Sequence, residues 1–105
     1  MLKIYEVSLQ VLRELRGTID GIEKRDPDLA RQARRCGASV VLNIAEGSGS
    51  IGRNQRARYA TALGSAKELR GCVDVALAGG YVDDLLPSTR DRLERVIATL
   101  INLVR

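Results

Sequence analysis

Apolar residues recur every three or four positions in four successive segments of the chain, and this is the spacing of one face of an α-helix. The first such face consists of Ile4, Val7, Val11, Leu15, Ile19 and Ile22. Charged residues occupy many of the positions between them, as on a helix with one side in water. The pattern predicts a first helix over about residues 2–25.

The second segment predicts a helix over about residues 27–46. Asp26 followed by Pro27 indicates its start, because an Asp side chain accepts hydrogen bonds from the first free N–H groups and Pro has no N–H to leave unbonded. Its core face consists of Leu29, Ala33, Cys36, Val40 and Ile44. A second stripe of small apolar residues consists of Ala30, Gly37, Val41 and Ala45. A helix that is apolar over so much of its circumference is expected to bury more than one side.

Glycine and serine residues from Gly47 to Gly52 predict the end of this helix and a turn. A third helix is expected to begin near Arg53–Gln55, with Asn54 as its N-cap, and to run to about Ala78. Its core face consists of Tyr59, Ala62, Ala66, Leu69, Val73, Ala76 and Leu77. A small stripe on roughly the opposite side consists of Ala60, Gly64, Gly71 and Val75.

Two glycines end the third helix, and Asp83 or Asp84 is expected to cap a fourth over about residues 84–104, with Pro87 in its first turn. The single core face of this helix consists of Leu86, Leu93, Val96, Ile97, Leu100, Ile101 and Val104. Four helices of about 20 residues joined by short turns fold most simply as an up-down-up-down antiparallel bundle. We therefore predict an all-α protein with one four-helix bundle domain over residues 1–105.

The composition restricts how this protein can contact nucleic acid. Trp and Phe are absent and there are three Tyr residues, so stacking on bases is largely unavailable and any contact has to be made to phosphates. The formal net charge is +4, and the excess lies in the third helix. A basic surface there suits a polyanionic partner, but the same charge also suits solubility alone. The candidate phosphate contacts are Arg53, Arg56, Arg58, Lys67 and Arg70.

The sequence offers no catalytic or metal-binding constellation. There is no His, and Cys36 and Cys72 do not form a C-x-x-C pair, which excludes a zinc site and a dimetal carboxylate site. Both thiols are expected to be buried. The Gly-Ser run lacks the G-K-[ST] of a phosphate-binding loop and follows no strand, so a simple turn is preferred. We expect no cofactor, no metal and no enzymatic activity.

No apolar run reaches the length needed to span a membrane, and apolar and charged residues alternate from Lys3 onward. A continuous apolar signal segment is therefore not indicated. The expected location is the cytoplasm, without membrane contact.

The segment Asn43-Ile44-Ala45-Glu46-Gly47 is followed by the Gly/Ser turn, a basic helix start, Ala62–Leu69 and a Gly80-Tyr81 corner. This order resembles the four-helix bundle protein family encoded in 23S rRNA intervening sequences, most strongly over residues 39–82. The chain departs from the usual pattern in its short N-terminus and at residues 58–59, where a Phe-rich segment is common.

The resemblance implies a non-enzymatic bundle that assembles as a ring of five. Members of the family resemble the accessory proteins of diversity-generating retroelements. For those relatives, the resemblance also implies binding to nucleic acid and to a reverse transcriptase through a basic surface. Of the motif, Asn43, Glu46 and Gly47 are expected to be structural. Glu46 is expected to accept hydrogen bonds from nearby amides or to pair with Arg53 across the turn.

Two classes of function remain open. The chain is either a nucleic-acid-associated accessory protein, with RNA or DNA as its partner, or a structural oligomer that binds itself or another protein and has no nucleic-acid role. For a homo-oligomer, the small stripes of the second and third helices are the expected interface, because small residues let helix backbones approach closely. The interface residues are Ala30, Gly37, Val41, Ala45, Ala60, Gly64, Gly71 and Val75. We expect a monomer to leave Ala30, Val41, Ala45, Ala60 and Val75 in water.

Overall fold

The computed structural model describes residues 3–105, and over this range the chain forms four α-helices and no strand. The helices are α1 (Lys3–Glu23), α2 (Pro27–Ser48), α3 (Gly52–Ala78) and α4 (Pro87–Val104). The predicted all-α class is confirmed. Both α1 and α3 pack against α2 and α4, and the contact between α2 and α3 is the most extensive. The 27 residues of α3 span about 40 Å, nearly the 42 Å length of the molecule.

The predicted start of α2 is confirmed. Asp26 Oδ1 accepts a hydrogen bond from the Leu29 N–H at 3.0 Å, and Pro27 is the first helical residue. The apolar face of α1 is also as predicted, apart from Val7, which is half-buried, and one polar member, Ser8. The Ser8 hydroxyl donates to the Tyr5 carbonyl at 2.7 Å, so its burial leaves no hydrogen bond unmade.

The predicted turn between α2 and α3 is present but shorter than expected, and the predicted Asn54 cap is wrong. Helix α2 continues through Gly47 to Ser48, and α3 begins at Gly52 with Ile51 rather than Asn54 as its N-cap. Gly47 is buried against an aromatic ring, since a Cβ atom there would lie 2.5 Å from Cε1 of Tyr59. This glycine is therefore required by close packing rather than by a turn.

The predicted start of α4 is also wrong. The helix begins at Pro87 and has Leu86 as its N-cap, without a side-chain hydrogen bond. Asp84 Oδ1 accepts instead from the neighbouring Leu85 N–H, at 2.7 Å. The residues before Pro87 are not helical, so the helical spacing that placed Leu86 in the core does not apply to them. Leu86 is 71% exposed, and Leu85 is buried instead.

The small stripe of α2 is largely covered within the chain itself. Ala30 and Gly37 are buried and Val41 is 7% exposed, so the expectation that Ala30 and Val41 face water in a monomer is wrong. The reason is the second side of α2, which packs on α1: a Cβ atom at Gly37 would lie 2.7 Å from Leu12 Cδ2. Ala45 is half-buried.

The small stripe of α3 behaves differently. Ala60 and Gly64 are exposed, Gly71 is half-buried and Val75 is 56% exposed. A Cβ atom at Gly64 or Gly71 would meet nothing within 4 Å. This side of α3 is therefore open.

Candidate nucleic-acid interface

The structure gathers three of the five candidate phosphate contacts at the start of α3. Arg53, Arg56 and Arg58 lie in its first two turns and all three are exposed. Lys67 and Arg70 follow Arg58 by nine and twelve residues, which places them about 13 and 18 Å further along the helix. The five residues therefore do not form one compact patch.

These five cations also differ in whether they form ion pairs. Arg70 Nη1 lies 2.6 Å from Glu94 Oε1, so Arg70 joins α3 to α4. Arg58 Nη1 lies 3.1 Å from Glu46 Oε2, and the expected pairing of Glu46 with Arg53 is therefore not the one formed. Among residues 3–105, Arg53 has no carboxylate within 4.0 Å, nor do Arg56 and Lys67.

A polar recess of about 250 Å³ lies beside the arginines, between the turn and the first turns of α3. It is lined by Ser50, Asn54, Ala57, Arg58 and Thr61. The hydroxyls of Ser50 and Thr61 donate to the carbonyls of Glu46 at 2.9 Å and Ala57 at 3.1 Å. The Asn54 side chain makes no hydrogen bond to any residue the structure describes. We call these residues the α3 recess.

Sequence reasoning missed most of the α3 recess. It assigned Asn54 to a cap and gave Ser50 and Thr61 no role. The spacing of Asn54, Arg58 and Thr61, which are four and three residues apart, was the available signal, because such residues share one side of a helix.

The turn that leads into α3 is fixed by a glutamine. Gln55 Nε2 donates to the carbonyls of Gly47 and Ser50, at 3.0 Å each. No side chain caps the helix, since Ile51 occupies the N-cap position. Gln55 therefore joins the end of α2 to the start of α3 and holds the basic end of the helix in place.

The remaining motif residues belong to the contact between α2 and α3. Asn43 Nδ2 donates to the Ser39 carbonyl at 2.9 Å and to Ser39 Oγ at 3.1 Å. Ser39 Oγ lies 2.7 Å from Ser65 Oγ across the contact. Asn43 therefore lies in a hydrogen-bonded group at the contact between α2 and α3, and Gly47 packs on Tyr59 in the same contact.

The two thiols do not form a reactive site. Cys36 and Cys72 are free and buried, as predicted. Burial raises the pKa of the Cys36 thiol to about 12, and the neighbouring Glu68 carboxylate adds to the rise. A thiol in this state is protonated at neutral pH and is a poor nucleophile. Over residues 3–105 no group of three or more His, Cys, Asp or Glu side chains is placed to hold a metal ion.

None of the helices in residues 3–105 is both long enough and apolar enough to span a membrane.

Comparison with known proteins gives a family and a fold. A model of the 23S rRNA-intervening sequence protein family matches residues 1–102. The chain is also similar to a crystal structure of a protein of unknown function from the S23 ribosomal protein family of Bacteroides thetaiotaomicron. The TM-score is 0.84 at 17% sequence identity, over 97% of this chain and 98% of that one. No curated protein matches this chain.

Proposed function

The chain belongs to the family of 23S rRNA-intervening sequence proteins, and we propose that it is a non-enzymatic, oligomeric four-helix protein that binds nucleic acid through phosphates at the start of α3. The observation that carries this proposal is the charge of one segment. Residues 47–67 contain Arg53, Arg56, Arg58 and Lys67 and no acidic residue. The first three of these cations are exposed within the first two turns of α3, at one end of a helix that runs the length of the molecule.

The contacts between helices support the proposed up-down-up-down antiparallel arrangement. In each contact between two helices, residue numbers increase along one helix while the numbers of their partners decrease along the other, as they do in an antiparallel pair. Between α2 and α3 the pairs are Gln32–Glu68, Ser39–Ser65 and Glu46–Arg58. Between α3 and α4 they are Arg70–Glu94 and Asp74–Arg90. This arrangement brings the start of α3 to the same end of the molecule as the start of α1.

We further propose a homo-oligomer, with five subunits as the family resemblance implies, whose interface includes the open side of α3. Ala60, Gly64 and Val75 supply an apolar surface without bulky side chains, which allows another helix to approach closely. Lys67 lies on the same side of α3, between Gly64 and Gly71. The nucleic-acid proposal therefore rests on the three arginines that precede Tyr59, which are exposed in the subunit and lie toward the start of α3.

A charge-reversal experiment tests the nucleic-acid role. Wild type and Arg53→Glu/Arg56→Glu are compared by electrophoretic shift of a structured RNA and a DNA duplex, at about 50 mM and 200 mM salt. We expect wild type to shift both at the lower salt without sequence preference, and the double variant to lose the shift. Arg16→Glu/Arg95→Glu makes the same charge change on α1 and α4 and should retain binding.

The second candidate function is an oligomer that binds proteins only. The exposed apolar side chains of Leu42, Ile51 and Leu86 favour it, because they lie outside the core and have no role in phosphate binding. This function replaces the first if wild type shifts neither nucleic acid at low salt, or if the Arg53→Glu/Arg56→Glu variant shifts them equally well.

A further inference from the structure

Glu46 occupies an unusual position in the charge pattern of the chain. It is the only acidic residue between Asp28 and Glu68. The same stretch contains the cations Arg31, Arg34, Arg35, Arg53, Arg56, Arg58 and Lys67. Among these cations, the one that the carboxylate of Glu46 reaches is Arg58, at 3.1 Å.

The ion pair between Glu46 and Arg58 is open to solvent. The side chain of Glu46 is 59% exposed and that of Arg58 is 52% exposed. An exposed pair of this kind contributes on the order of 0.2–1 kcal/mol to stability, so Arg58 can leave Glu46 at small cost. An anion from solution can reach the guanidinium directly.

The other side chains of the α3 recess are suited to the same anion. Asn54 has a free amide, which donates two hydrogen bonds. The hydroxyls of Ser50 and Thr61 are bonded only to carbonyls of neighbouring turns, and a hydroxyl rotates to suit its partner. Arg58 supplies a planar guanidinium, whose geometry matches a phosphate through two parallel hydrogen bonds.

We propose that the α3 recess binds one phosphate of a nucleic-acid backbone, held by Asn54, Arg58 and Thr61, and that Glu46 competes with this phosphate for Arg58. The proposal rests on the nucleic-acid role proposed above and assigns that role a specific site. In the free protein Arg58 is paired with Glu46. Binding exchanges the carboxylate for the phosphate, and the carboxylate then remains beside a second negative charge. Glu46 therefore weakens binding at this site.

Removal of the competing charge should strengthen binding. Glu46→Gln keeps the size of the side chain and removes its charge, and we expect affinity to rise by up to about fivefold per site, the upper end of the range that corresponds to an exposed ion pair. The variant also raises the net charge by one, which by itself favours a polyanion. Asp91→Asn makes the same net change on the exposed side of α4 and is the control, with a smaller gain expected.

Removal of the neutral donors should weaken binding at constant charge. Asn54→Ala/Thr61→Ala is expected to lower affinity by about fivefold or more for each lost bond, because a hydrogen bond to a charged group contributes on the order of 1 kcal/mol or more. Ser88→Ala/Asn102→Ala removes a hydroxyl and an amide from exposed positions on α4 and should bind as wild type. Circular dichroism and the thermal midpoint of each variant establish that the fold is retained.

The experiment is fluorescence anisotropy with a labelled mixed-sequence RNA strand, and with a DNA duplex, at about 50 mM salt. The proposal is overturned if Glu46→Gln binds no tighter than Asp91→Asn, or if Asn54→Ala/Thr61→Ala binds as wild type. In that case the nucleic-acid role still stands provided that Arg53→Glu/Arg56→Glu weakens binding. If wild type does not bind but Glu46→Gln does, the result supports competition between Glu46 and the phosphate for Arg58. If neither protein binds, both the site and the nucleic-acid role are overturned.

Discussion

At the scale of single residues, glycine has two distinct uses in this chain. Gly47 is buried and faces the ring of Tyr59, so it marks a close approach of α2 and α3. Gly17 is exposed within α1, and a Cβ atom there would meet nothing within 4 Å. The sequence alone does not separate these cases, because both glycines lie near apolar helical positions and the difference is made by a neighbour distant in sequence.

Substitution of the two glycines by alanine should therefore have opposite effects. Gly47→Ala forces the buried Tyr59 ring to move and should destabilise the fold by about 1–3 kcal/mol, as overpacking of a core does. Gly17→Ala removes a helix-interior glycine without a clash and should stabilise by up to about 1 kcal/mol. Urea unfolding at one protein concentration measures both. Equal midpoints for Gly47→Ala and wild type would show that Gly47 is not a packing residue.

At the scale of elements, Glu14 joins α1 to α4 through several bonds. Its carboxylate accepts hydrogen bonds from Gln10 Nε2 at 2.8 Å and Thr89 Oγ1 at 2.7 Å. Arg92 Nη1 lies 2.7 Å from Glu14 Oε2. The hydrogen bonds from Gln10 and Thr89, with the Arg92 guanidinium, hold the pKa of the Glu14 carboxyl below its usual value. The ionised form is therefore the one that the fold stabilises.

The contact between α1 and α4 should accordingly depend on pH. A carboxyl whose pKa is lowered by folding contributes stability above its unfolded pKa, about 4.3 for Glu, and loses that contribution as pH falls through the folded pKa. Glu14→Gln should thus be less stable than wild type at pH 7, with a smaller difference at pH 3. Urea midpoints at both pH values measure the differences, and Glu6→Gln, at an exposed position of α1, is the control. A difference of the same size at both pH values would contradict this role.

The existence of the four helices and most of their apolar faces could be predicted from the sequence, while several ends could not. Helical spacing and capping chemistry are local properties, and the Asp26-Pro27 pair correctly identified Asp26 as the cap of α2. The starts of α3 and α4 depend on contacts beyond the local sequence, such as the bonds from Gln55 back to α2. Leu86 was predicted in the core because its spacing fits α4, but it precedes the helix and Leu85 takes the buried position.

The candidate site was predictable to a similar extent. The local excess of positive charge identified Arg53, Arg56 and Arg58. The pairing of Glu46 with Arg58 depends on which sides of α2 and α3 face each other, and the sequence assigned it to Arg53. Ser50 and Thr61 are common surface residues whose relevance comes only from their position in the recess.

At the scale of the whole molecule, the proposed assembly depends on the one small stripe that remains open. Val75 lies on this side of α3 and is more than half exposed, so Val75→Glu should leave the fold of a subunit intact and separate the subunits. Val41→Glu is unsuitable as a test, because Val41 is buried within the chain and the variant would unfold. Light scattering coupled to size exclusion gives the mass. We expect an oligomer for wild type and for Ala98→Glu, an exposed control on α4, and a smaller species for Val75→Glu.

A monomer mass for wild type at micromolar concentration would contradict the oligomer. An unchanged mass for Val75→Glu would place the interface elsewhere. The proposed assembly bears on the proposed binding, because copies of one phosphate site held in a fixed arrangement would increase avidity for a long polyanion by roughly 10² to 10⁴.

The central claim, that phosphates bind at the start of α3, is tested most directly by the salt dependence of binding to a single-stranded RNA. Each phosphate contact contributes about −0.7 to the slope of log K against log salt concentration for a single strand. Removal of two cations without charge reversal, in Arg53→Gln/Arg56→Gln, should therefore make the slope shallower by about 1.4 per engaged subunit. A double variant with the wild-type slope, whatever its affinity, would contradict the claim.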